Sequence, residues 1–144
     1  MTERDVFLKL KHVQYTARAL ERLRREREWT EEHAAAIRGL DYSKVRVQTS
    51  SAADVGKIVE RIWDKVSAIC AEIAKETEAL LAAEEEARAL IALCESEIRR
   101  EILTERYILG VPWPEIIKKH SYERRQIFRI RKAAFQEIAA KTCH

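Results

Sequence analysis

Between Arg124 and Lys132 the chain places Arg124, Arg125, Gln126, Arg129, Arg131 and Lys132 within nine residues. These side chains carry donors and positive charge but no nucleophile, so the chemistry they offer is recognition of anions and polar edges. On a helix in the major groove of duplex DNA, arginine can donate twice to a guanine edge and glutamine can pair twice with adenine. Arg124, Arg125, Gln126 and Arg129 are the candidates for that reading. Lys118, Lys119, Arg131 and Lys132 are suited to phosphate contacts, which supply affinity rather than sequence choice. The bland alternative is a basic surface helix solvated by its charge. Only Glu123 and Glu137 lie nearby, too few acids for an i,i+4 salt-bridge lattice, so DNA contact is the preferred reading.

To act together, these groups must project from one helix whose other side is buried. Ile127, Ile130, Ala134 and Ile138 follow the 3, 4, 4 spacing of such a stripe, with Phe135 at its edge. Upstream, Gly110 suits the position past a helix end at Leu109, where positive φ costs little. Pro112 or Pro114 suits the first turn of the next helix. The spacing predicts a helix from about Trp113 to Lys119, a turn at His120–Tyr122 and a final basic helix. Two short helices joined by a tight turn, the second one basic, form the helix-turn-helix pattern. Trp113 reads as core rather than as a stacking platform. The recognition helix is capped either by Glu123 or by Ser121 with a slightly earlier start, and the register of the reading residues shifts with that choice.

The run from Ile102 through Arg106-Tyr107, Gly110-Val-Pro-Trp113-Pro-Glu-Ile-Ile117, and then Ser121-Tyr-Glu-Arg-Arg-Gln-Ile-Phe-Arg-Ile-Arg-Lys-Ala-Ala-Phe135, resembles sigma-70 region 4. It looks most like the phage and prophage late-gene activators of the RinA and ArpU type, which carry this module behind a helical N-terminal part. The resemblance covers about a third of the chain. It implies that Arg124, Arg125, Gln126 and Arg129 read duplex DNA, with Arg106-Tyr107 and Gly110–Trp113 as support helix and turn. Glu123 departs from the family's usual Ser or Thr at the cap.

Length and charge set the frame. The chain has 144 residues, with only three glycines and two prolines, which argues for one mostly helical domain or a small domain with a helical extension. The net charge of +3 hides an asymmetry: from Arg99 onward it is +6, and before that −3. A basic C-terminal module behind an acidic helical part is the footprint of a nucleic-acid binder with a separate assembly surface. No stretch approaches the roughly 20 apolar residues of a membrane span, and the N-terminus lacks a secretory signal. Three cysteines without metal-ligand spacing fit a reducing compartment, so a cytoplasmic location without membrane, metal or cofactor is expected.

The expected architecture is all-α: a long antiparallel, coiled-coil-like helical hairpin at 1–98, then the helix-turn-helix at 99–144. Residues 3 to about 40 read as a helix with Val6, Leu10, Val13, Ala17 and Leu20 in 4, 3, 4, 3 steps. Trp29-Thr30 is a candidate break, with Thr30 capping a second segment. Asp41–Ser51 reads as a loop. From Ser51 a long helix carries Ile62, Val66, Ile69, Ile73, Leu80, Ala83, Ala87, Leu90 and Cys94 along one seam. Val59, Trp63, Cys70, Ala74 and Leu81 widen its apolar face, which predicts a second neighbour and a homodimer. Whether this helix runs on into the C-terminal module or breaks near Cys94–Ser96 is left open by the pattern.

Two function classes follow. One is a transcriptional regulator binding double-stranded DNA through the last helix. The other is a phage adaptor that binds host RNA polymerase or another protein through the hairpin, or a DNA-packaging recognition subunit. An enzyme is disfavoured: Glu84-Glu85-Glu86 point in different directions on a helix, and no nucleophile–base pair or phosphate-cradling glycine loop occurs.

Overall fold

The computed structural model describes residues 1–38 and 52–143, and the side chains of these other than 36–38 and 52–54. The described residues form five α-helices, Glu3–Arg38 (α1), Ala52–Ile91 (α2), Glu97–Leu103 (α3), Trp113–His120 (α4) and Arg124–Lys141 (α5), and a widened π turn, Thr104–Ile108, prolongs α3. No strand occurs among the described residues, and the fold is all-α. The loop expected at Asp41–Ser51 and the helix end near Gly39 lie outside the described residues. No described helix is long and apolar enough to cross a membrane.

The break expected at Trp29–Thr30 does not occur. Thr30 instead donates its hydroxyl to the Glu26 carbonyl at 2.7 Å inside an unbroken α1. That back-bond satisfies the threonine within the helix, so it has no capping role. The question at Cys94–Ser96 resolves as a break. Leu93 and Cys94 donate to the carbonyls of Leu90 and Ile91, three residues back, which tightens and ends α2. Arg100 Nη1 then donates to the carbonyls of Cys94 and Glu95 at 2.6 and 2.9 Å, and extended Ser96 precedes α3.

Packing groups the chain differently from a division at residue 98. One compact unit is Met1–Arg18 with Glu78–His144, and the other is Ala19–Thr77. The reason lies in the core of the first unit, where Val6, Leu10 and Val13 of α1 share one apolar cluster with Ala87, Leu103 and Ile138. A second cluster, Ile102, Ile116 and Ile127, is fully buried between α3, α4 and α5. The start of α1 is thus part of the body that holds the C-terminal helices.

In the second unit, α1 and α2 run past each other in opposite directions. Trp29 lies under Lys65 Nζ at 5.7 Å, while Arg22 and Glu26, earlier in α1, line one surface pocket with Glu72 and Glu76, later in α2. Leu20, Ala34, Val66 and Ile69 are buried there, so the seam residues face inward as their spacing predicts. The residues expected to widen the face do not all find cover: Cys70 and Ala74 are exposed in this unit, and Leu81 is 56 % exposed in the other.

Candidate nucleic-acid interface

Local geometry around α4 and α5 follows from a few residues. Gly110 adopts φ +71, and across it the Val111 N–H reaches back to the Glu105 carbonyl at 2.9 Å. Gln14 of α1 donates its amide to the Tyr107 and Ile108 carbonyls, both at 3.1 Å, which satisfies groups that a helix end leaves open. Pro112 caps α4, Pro114 sits in its first turn, and Ser121 ends it in the left-handed region at φ 55, ψ 30. No glycine occupies that turn, so the left-handed backbone is carried by a side chain that disfavours it.

Glu123 is the N-cap of α5, which fixes the register: Arg124 and Arg125 are its first two residues and Gln126 its third. The Glu123 N–H donates to Gln126 Oε1 at 3.0 Å, a capping-box arrangement with glutamate in the usual Ser/Thr place. Gln126 is exposed, but its carboxamide oxygen is engaged in that cap. On the buried side Ile127, Ala134 and Ile138 are fully covered, as the stripe predicts, and Phe135 is buried rather than marginal.

Besides Gln126, the expected contact residues fall into two groups. Arg124, Arg125, Arg129 and Lys132 are exposed and line one shallow surface around the half-buried Phe128 ring. Arg124 lies 5.4 Å from the centre of that ring. Lys118 is exposed at the end of α4. None of these five cations pairs with a carboxylate among the described residues.

Arg131 and Lys119 are placed otherwise. Arg131 is half-buried, with its guanidinium 4.9 Å from the Phe128 ring centre, 5.6 Å from Trp113 and 5.8 Å from Phe135. It braces aromatic rings instead of standing free. Lys119 Nζ is exposed but bonded to Glu105 Oε1 at 2.7 Å. Glu105, itself 5 % exposed, also meets His120 Nε2 at 3.2 Å. Burial alone pushes the Glu105 carboxyl up, but the Lys119 and His120 hydrogen bonds and charges outweigh it and hold the group below its ordinary value. Glu101, Glu105 and His120 bring ligand-type atoms within 4.8 Å of one another, yet Lys119, 3.9 Å from Glu101, already supplies the positive charge between the two carboxylates.

Tyr107 is expected in the support helix, whereas the sequence alone carries no sign of the Glu105 contacts. Glu105 and Tyr107 are both buried, and they face different neighbours: Glu105 meets α4, and Tyr107 meets Phe7 of α1 and Phe135 of α5. Behind α5, Glu137 accepts the Glu95 N–H at 2.8 Å and Arg99 at 2.7 Å, with Lys141 at 3.3 Å. Those bonds, led by the Glu95 N–H, hold the Glu137 carboxyl down to about 2. No protein-family model, curated protein or solved structure matches the chain.

Proposed function

We propose that this chain is a DNA-binding transcriptional regulator of the phage and prophage type, with α4 and α5 as a helix-turn-helix and α5 as its recognition helix. The observation that carries the reading is the charge at the start of α5. Arg124 and Arg125 occupy its first turn, where no acid is present. A helix N-terminus favours anions, and a cation there costs roughly 0.3–1 kcal/mol. Arg125 and Arg129 add a like-charge i,i+4 pair, unfavourable by about 0.2–0.5 kcal/mol. Charges that oppose the helix they sit on, and that no neighbouring carboxylate offsets, are suited to an external polyanion. Arg125 and Arg129 then take base edges, Arg124, Lys118 and Lys132 serve phosphates, and Arg131 and Lys119 hold the rings and α4 in place behind them.

Selection of bound sequences from a random duplex pool tests this, and failure to enrich any sequence would sink it. On a selected site, Arg125→Ala and Arg129→Ala should each weaken binding by about 1–3 kcal/mol and relax one position. Lys118→Ala should weaken all sequences alike and reduce the salt slope by about 1. A homodimer would present two such helices to two half-sites. Sedimentation showing only monomer at micromolar concentration would remove that part.

The second reading, an adaptor for host RNA polymerase or another protein, rests on apolar groups left open on the long helices. Trp29 is 56 % and Ile58 47 % exposed. A full-length chain that ignores DNA yet captures purified polymerase would favour it. Neither reading calls on a cofactor.

A further inference from the structure

The unit Met1–Arg18 with Glu78–His144 holds a cavity of about 200 Å³ that DNA reading leaves unused. Its walls are aromatic, from Phe7, Tyr15, Tyr107 and Trp113. Phe7 and Trp113 each meet Tyr107 nearly edge-on, both with ring centres 6.4 Å apart, so three rings fix one another. Lys11, Arg18, Arg106 and Arg131 complete the lining, and no acid belongs to it. None of these four cations is in an ion pair among the described residues. Arg106 lies 5.1 Å from the Trp113 ring centre and donates to the Val111 carbonyl at 3.3 Å, Arg131 lies 5.6 Å from the same ring and hydrogen-bonds Tyr107, and Lys11 Nζ lies 5.3 Å from the Phe7 ring centre. Gln14, tied to the Tyr107 and Ile108 carbonyls, keeps the backbone close there, and a Cβ on Gly110 would come within 2.7 Å of its Oε1.

Four like charges around one concavity, two of them exposed at its mouth, set up a positive potential that no acid in the lining offsets. We propose that this cavity binds a small aromatic carboxylate: one ring bearing one anionic group. Size sets the class. An apolar cavity of about 150 Å³ holds benzene, whereas drug-sized ligands need roughly 300–1,000 Å³. The space therefore matches one ring and a carboxylate, and most of a nucleotide would have to project out of it. The ring packs on the aromatic walls, and a guanidinium fork donates to both carboxylate oxygens. A neutral ring leaves the cations unmatched, and a bare anion leaves the walls wet. This inference stands apart from the DNA reading and survives its failure.

The test is calorimetric titration of the full chain with benzoate, phenylacetate and 4-hydroxybenzoate. Benzamide (ring without charge), acetate (charge without ring), benzylamine and adenosine monophosphate serve as comparators. At least one ring carboxylate should bind tenfold or more tighter than all four comparators. Lys11→Gln with Arg18→Gln, both exposed positions outside the core, should weaken that ligand about tenfold and leave benzamide unchanged. Arg106→Gln should weaken it further. No binding by any ring carboxylate, equal binding by the comparators, or indifference to the double variant overturns the proposal. Loss of duplex DNA binding in the double variant, with no carboxylate bound by the native chain, would assign these cations to phosphates and overturn it as well.

Discussion

The unit Met1–Arg18 with Glu78–His144 and the unit Ala19–Thr77 draw on the same two long helices, yet their interiors differ in kind. The first has two apolar clusters, ring-on-ring contacts and a carboxylate, Glu137, gripped by a backbone N–H and two cations. The second has one thin seam, from Leu20 and Ala34 to Val66 and Ile69. Its ion pairs sit at the surface: Arg25 and Glu21 are 75 % and 55 % exposed, and such i,i+4 pairs contribute only about 0.3–0.5 kcal/mol. Arg27 Nε is covered and lacks a hydrogen-bond partner, with Glu31 at 4.0 Å. A heptad pattern can align two helices without giving them a deep core. Depth comes where a third and fourth helix close over the pair.

The same deletion made in both units breaks this contrast most directly. Ile127 is fully buried between three helices, whereas Ile69 is 7 % exposed beside a single partner. Isoleucine to alanine costs about 2–5 kcal/mol, with the larger values where the site cannot collapse. Ile127→Ala should fall near the top of that range and Ile69→Ala near the bottom, read by denaturant unfolding with amide exchange to resolve the units. Equal costs would mean that the second unit is as tightly packed as the first.

Acid sharpens the contrast next. The Glu137 carboxyl is held near 2, against an ordinary value of 4.5. A depressed carboxylate stabilises the folded chain above its ordinary value and loses that contribution as pH falls from about 4.5 towards 2. Glu137→Gln should cost about 1.5–3 kcal/mol at neutral pH, the scale of hydrogen bonds to a charged group. It should also flatten the stability profile over that window, with protection lost first at α5. A profile identical to that of the native chain would show that the Arg99 and Lys141 contacts contribute nothing.

How much of this was legible in the sequence depends on how local the cause is. Gly110 permits positive φ and Pro112 and Pro114 fix φ, so the end of the π turn and the start of α4 follow from residue type. Ile127, Ala134 and Ile138 follow from period. The support behind α5 does not, because it joins residues far apart in the chain. Arg131 looks like any cation in a basic run, and its inward aim depends on Trp113 and Phe135. Lys119 looks free until the π turn carries Glu105 beneath it. Gln126 reads as a base contact until Glu123 is seen to be the cap. Lys11 and Arg18 meet Arg106 and Arg131 only because α1 packs beside the π turn, which no short-range pattern encodes.

The smallest expected effects come from two opposite substitutions, one in each unit. Ser121 holds φ 55 and ψ 30 with a side chain attached, a left-handed state that costs a non-glycine residue about 1–2 kcal/mol. Glycine removes that strain but loses more freedom on folding, by roughly 0.5–1 kcal/mol, so Ser121→Gly should gain up to about 1 kcal/mol. Gly56 lies inside α2, where an added Cβ would meet nothing within 4 Å, so there the same entropic term runs the other way. Gly56→Ala should also gain about 0.5–1 kcal/mol. Glycine helps where the backbone turns left, and alanine helps where it is helical and uncrowded. Differential scanning calorimetry should show upward shifts of at most about 4 °C for each. The decisive control is Ser121→Ala, which keeps the Cβ and so keeps the strain. If it matches Ser121→Gly, the turn between α4 and α5 is not strained.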